Sequence, residues 1–143
     1  MAQSLTKPRR EYRNIHVTQI VSYRLPPAGM VSILHRVSGV LMFLLLPFVI
    51  WLFDVSVTSE LSYERFTSVF SAGIGPFAGG FVKLVVLALI WAYLHHLIAG
   101  VRHLWMDATH SVSLKQGKSS AIFTLALSVL LTIVLGAKLF GLY

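Results

Sequence analysis

Apolar residues fall into three long blocks along this chain, separated by stretches that are polar or rich in glycine. The first block, uncharged from Val37 to Phe53, predicts a membrane span over 29–53 in which Pro47 places a kink. The second predicts a span over 81–105 and the third a span over 120–142. Each reaches the roughly 20 residues that a helix needs to cross about 30 Å of hydrocarbon. In the first connection Ser59 and Glu60 open a short surface helix with Tyr63, Phe66 and Phe70 on one face, and Gly75-Pro76 and Gly79-Gly80 end it. A polar turn holding Asp107, His110, Lys115, Gln116 and Lys118 is expected between the second and third spans. Residues 1–28 are polar and basic and end at Pro26-Pro27. They lack the charged-apolar-cleavage order of a signal peptide, so they are expected to stay in the mature protein as a cytoplasmic segment.

The expected class is an all-α membrane protein with three transmembrane helices in one domain, residues 29–143. Composition agrees: 56% of residues are hydrophobic and 12% charged, against about 25% charged in soluble domains. There is no cysteine, which removes disulfides and cysteine-ligated metal clusters. No glycine-rich nucleotide fingerprint follows a strand. The formal charge of +7 does not point to nucleic acid, because its distribution is topological. Lys7, Arg9, Arg10, Arg13 and Arg24 precede the first span, and Arg102, Lys115 and Lys118 follow the second, whereas Glu60, Glu64 and Arg65 lie between them. This positive-inside pattern puts the N-terminus at the cytoplasmic face, with Trp105 at the inner interface and Trp51 and Tyr143 at the outer one.

Ionisable groups inside spans are costly and usually face a partner, a cofactor or water. Ser32, His35, Arg36 and Gly39 share one helical face at the cytoplasmic start of the first span. Headgroup anchoring would account for Arg36 alone. A serine and a histidine on its own face favour a polar ligand pocket. In the second span, His96 lies roughly 9–10 Å along the helix from Arg102, within the hydrocarbon. Ala88, Ala92, His96 and Gly100 form an i+4 ladder in which the neighbours of the imidazole are small, giving a flat macrocycle room to approach and the imidazole a haem iron to ligate. Small-residue helix packing, with His96 hydrogen-bonded across it, explains the same ladder without a cofactor. His95 points about 100° away, and its neighbours Trp91 and Ala99 leave less open surface, so His96 is the preferred ligand. The third span has no histidine and His35 sits near the membrane boundary, so a second axial ligand is expected from a partner chain.

Two motifs, Ser32-Ile-Leu-His-Arg-Val-Ser-Gly39 and His96-x-x-x-Gly100-x-Arg102-His103 followed by Asp107, closely resemble those of the cytochrome b subunits of succinate:quinone oxidoreductases. The stretch from Arg13-Asn-Ile-His16 to Arg24-Leu-Pro is also similar, although Arg13-Asn14 stands where the family usually has Arg-Pro. The resemblance implies a membrane anchor of succinate dehydrogenase that bundles with a second small membrane subunit and anchors a flavoprotein and an iron–sulfur protein. It implies ubiquinone binding by Ser32 and Arg36, ligation of haem b by His96, and propionate contacts from His35 and Arg36. His103 and Asp107 match the family's polar cluster at the inner end of the second span. A quinol:fumarate reductase anchor is the near alternative, and a cofactor-free structural anchor or small transporter the distant one. The bacterial inner membrane is the expected location, ahead of the mitochondrial one.

Overall fold

The computed structural model describes Asn14 and residues 16–143. Lys7, Arg9, Arg10 and Arg13, on which part of the charge asymmetry rests, and Ile15 of the N-terminal motif lie outside the described residues. The elements in order are α1 (Val17–Ser22), α2 (Pro27–Leu44), α3 (Leu46–Val57), α4 (Glu60–Val69), α5 (Gly79–Thr109) and α6 (Leu114–Leu139). No strand occurs among the described residues. Three helices, α2, α5 and α6, are long and apolar enough to cross a membrane. The protein is an all-α membrane protein.

The stretch expected to form the first span is divided. Helix α2 ends at Leu44, Leu45 departs from helical geometry at φ −92° and ψ 1°, and α3 resumes at Leu46. Pro47 is the cause: it has no N–H to offer the Phe43 carbonyl, and its ring crowds that oxygen. The ladder holds on either side, with Leu45 N–H donating to the Leu41 carbonyl and Val49 N–H to that of Leu45.

Ser59 caps α4 as its position suggested. Its hydroxyl accepts the Ser62 N–H at 3.2 Å, and the Ser62 hydroxyl accepts the Ser59 N–H at 2.8 Å. Phe66 meets Tyr63 at 5.9 Å and Phe70 at 5.3 Å between ring centroids. The turn that follows needs Gly73, whose φ of +97° and proximity to the Phe77 carbonyl leave no place for a Cβ.

The polar turn between the second and third spans is shorter than its sequence suggested. Helix α5 runs on through Asp107 to Thr109 and stops where His110 takes a left-handed φ of 51°. Helix α6 starts at Leu114, behind a capping box in which the Ser113 and Gln116 side chains each accept the other's N–H. Lys115, Gln116 and Lys118 are therefore helical. Hydropathy marks where a helix leaves lipid, whereas backbone hydrogen bonding decides where it ends. At 31 residues, α5 is about 46 Å long and outruns the hydrocarbon.

Helices α2, α5 and α6 pack on one another, and α3 packs on α4. Their shared core is small: Val31, Ala99 and Ala121 are fully buried, joined by Ser38, Thr124 and Ser128. The large apolar side chains face outward, with Phe43, Leu44, Phe53 and Phe123 each well over half exposed. Lipid tails are as apolar as leucine, so helices in a bilayer associate through close backbone approach and interhelical hydrogen bonds rather than by hiding large side chains.

Candidate functional site

The basic ends of α2, α5 and α6 converge, and three imidazoles meet there. His35 of α2 stacks on His96 of α5 with centroids 4.0 Å apart and planes at 23°. His103, two turns further along α5, stands 5.5 Å from His35. No group of three or more histidines and carboxylates among the described residues converges closely enough to hold a metal ion. His35 stacks on His96 and is tilted 49° to His103, so the cluster is a row of rings, not a chelate.

His96 Nδ1 lies 3.0 Å from the main-chain oxygen of His35 and 3.3 Å from Ser38 Oγ. Ser38 Oγ also donates to the His35 oxygen, at 2.9 Å. A carbonyl only accepts, so its contact with His96 puts the proton on Nδ1. In the neutral ring Nε2 then keeps its lone pair. It makes no hydrogen bond among the described residues and is not one of their buried unpaired atoms. A carbonyl holding one ring nitrogen while the other is left free to bind is the usual support of a metal-ligating histidine.

Gly39 makes this approach possible. A Cβ at that position would sit 3.1 Å from His96 Cε1, tighter than ordinary contact. Gly100 faces His35 Nε2 less tightly, at 3.8 Å from its hypothetical Cβ, an ordinary contact distance. The small-residue ladder on α5 is thus filled partly by this chain itself. Ala92 is fully buried within the bundle, and His35 of α2 lies over Gly100, which takes part of the clearance that the spacing had offered to a macrocycle. Small residues admit whichever rigid body arrives first, and here a neighbouring helix is covalently at hand.

His95 turns the other way. It is fully enclosed, with Nδ1 3.2 Å from Ser128 Oγ on α6, Trp91 stacked beside it at 5.5 Å, and Nε2 buried without a partner. A macrocycle has no access to it. Ser32 is half-buried and Arg36 is exposed, one turn apart on the outer side of the same cluster. Neither side chain makes a hydrogen bond or ion pair among the described residues. Asp107 is exposed one turn beyond His103, and no hydrogen bond or ion pair joins them.

Two contributors were not singled out from the residue pattern. Ser38 joins His35 to His96; its sequence signal was its place three residues after His35, on the same face. Arg102, which marked topology, is only 8% exposed. Its Nε donates to Ser120 Oγ at 3.0 Å and its Nη2 to the Gly117 carbonyl at 3.3 Å, tying α5 to the first turns of α6.

Three apolar spans carrying stacked imidazoles and a free guanidinium at one end define an all-α membrane protein with a polar site near the bilayer surface. The sequence matches the family described as succinate dehydrogenase/fumarate reductase transmembrane subunit over residues 9–135, and the chain belongs to that family. It is 30% identical over 117 residues to the succinate dehydrogenase cytochrome b556 subunit of Coxiella burnetii, covering 82% of this chain and 89% of that one. It is 29% identical to the subunit of that name from Paracoccus denitrificans, over 78% of this chain and 81% of the relative. The Rickettsia felis subunit is 27% identical, over 92% and 98%.

Proposed function

We propose that this chain is the membrane anchor of a succinate dehydrogenase and takes part in binding haem b and ubiquinone at its basic, cytoplasmic end. The observation that carries the reading is His96: Nδ1 fixed by the His35 carbonyl, Nε2 unengaged, and the free guanidinium of Arg36 on the same cluster. The residues fit the group. His96 Nε2 would ligate the haem iron, and His35 and Arg36 would supply the donors for its propionates. Haem b, when bound, would supply one-electron redox chemistry at this end of the chain.

What this chain does for quinone follows from its own side chains. As negative charge develops on a quinone oxygen, Arg36 stabilises it and the Ser32 hydroxyl donates to it. An exposed guanidinium costs nothing to uncover and loses little water until a ligand arrives. His103 and Asp107, one turn apart at the same end, offer polar groups towards the membrane surface. Electrons come from succinate through a flavoprotein and an iron–sulfur protein. A second small membrane subunit would complete the bundle against the exposed outer face of α2 and supply a further haem ligand. Residues 1–28 are the cytoplasmic segment, and 29–143 carry the three spans. The three relatives described above come from bacteria and carry the name succinate dehydrogenase. Those names favour a bacterial inner membrane and succinate oxidation over the fumarate-reducing direction.

The test is to purify the chain with whatever accompanies it in membranes. A b-type reduced-minus-oxidised spectrum, succinate-dependent ubiquinone reduction and three copurifying subunits are expected. A colourless preparation that ignores quinones would leave a structural anchor in its place.

A further inference from the structure

A second recess lies across α5 from His96. It is a groove of about 770 Å³ between the basic end of α5 and the start of α6. Its long walls are apolar, built by Leu97, Val101, Phe123 and Leu127. Leu97 and Val101 sit roughly 100–140° around the helix from His96, so the groove and the imidazole cluster open on different faces. At the end nearer the membrane surface its lining becomes polar, with Arg102, Gln116, Ser119 and Ser120.

We infer that this groove binds one anionic phospholipid, acyl chain along the apolar walls and phosphate against Arg102. Charge supports that occupant. Arg102 uses Nε and Nη2 on α6, while Nη1 has no partner among the described residues. Arg102 is the one charged residue of the groove's lining, and Lys115 and Lys118 stand on the first turns of α6 at the same basic end. A recess that is apolar in its depth and cationic at its mouth, between transmembrane helices at the basic face, matches the two ends of an anionic lipid. The Ser119 hydroxyl adds a donor beside the guanidinium. A partner's apolar helix would fill the walls but leave this polar end unanswered.

The discriminating variant is Gln116→Glu. Gln116 accepts from Ser113 within the capping box, and glutamate serves that box equally well, so α6 keeps its start while a negative charge enters the groove. The complex, purified from membranes and equilibrated with equal phosphatidylglycerol and phosphatidylcholine, is read by native mass spectrometry. Wild type is expected to retain phosphatidylglycerol in preference, and Gln116→Glu to retain about fivefold less of it, with the thermal midpoint unchanged. Ser119→Trp, which fills the groove without touching the Arg102 bonds, is expected to exclude both lipids. A photocrosslinking benzoylphenylalanine in place of Phe123 is expected to label lipid. Equal retention of phosphatidylglycerol by wild type and Gln116→Glu, or a crosslink to polypeptide, overturns the assignment.

Discussion

His96 Nδ1 rests 3.0 Å from the main-chain oxygen of His35, and the two rings stack at 4.0 Å. One residue thus holds its neighbour twice, by backbone and by ring. A main-chain carbonyl within a helix cannot rotate away, so it fixes the imidazole more firmly than a side-chain acceptor would. The orientation of Nε2 becomes a property of how α2 meets α5.

Replacing His96 by leucine should abolish or strongly shift the b-type absorbance of the purified complex, because Nε2 is the proposed ligand. His95→Leu should leave the absorbance in place, since His95 is enclosed against α6. Visible difference spectra of both variants decide the matter. An unchanged haem spectrum in His96→Leu would remove it as ligand.

Arg36→Leu is expected to lower succinate-dependent ubiquinone reduction by about 10²-fold or more, the usual loss when a donor to developing charge is removed. Succinate oxidation by an artificial acceptor should persist, because the exposed Arg36 side chain makes no hydrogen bond or ion pair among the described residues. Normal quinone kinetics in the variant would take Arg36 out of the site.

Gly39→Val should be costly out of proportion to its apolar character. The first added carbon meets His96 Cε1 at 3.1 Å, and two more follow it. Overpacking of this kind costs about 1–3 kcal/mol and should displace the imidazole as well. Thermal inactivation in detergent and the haem spectrum should change together. A stable variant with native absorbance would mean that α2 and α5 separate freely.

Ser128→Ala strands His95 Nδ1, leaving both ring nitrogens buried and unpaired. A loss of about 1–3 kcal/mol is expected. Combining it with His95→Leu removes both partners, and the double variant should recover most of that stability. Melting midpoints of the two single variants and the double one complete the cycle; strict additivity would show that the His95–Ser128 contact contributes nothing.

The number and class of the spans, the Pro47 break and the Ser59 cap were legible in the sequence, because each depends on residues near one another in the chain. Hydrocarbon selects uninterrupted apolar stretches, a proline removes its own N–H, and a cap reaches three residues. The motif around Ser32 to Gly39 and His96 to Asp107 likewise showed which side chains lipid alone does not explain. Spacing favoured His96 over His95 as the open imidazole, but it did not say that Ser128 would meet His95, that Gly100 would face His35 of α2, or that Arg102 would reach Ser120. Those are relations between helices far apart in sequence, and small residues permit several partners at equal cost. Only the packed bundle decides among them, because close packing lets one body, and no second, occupy each face.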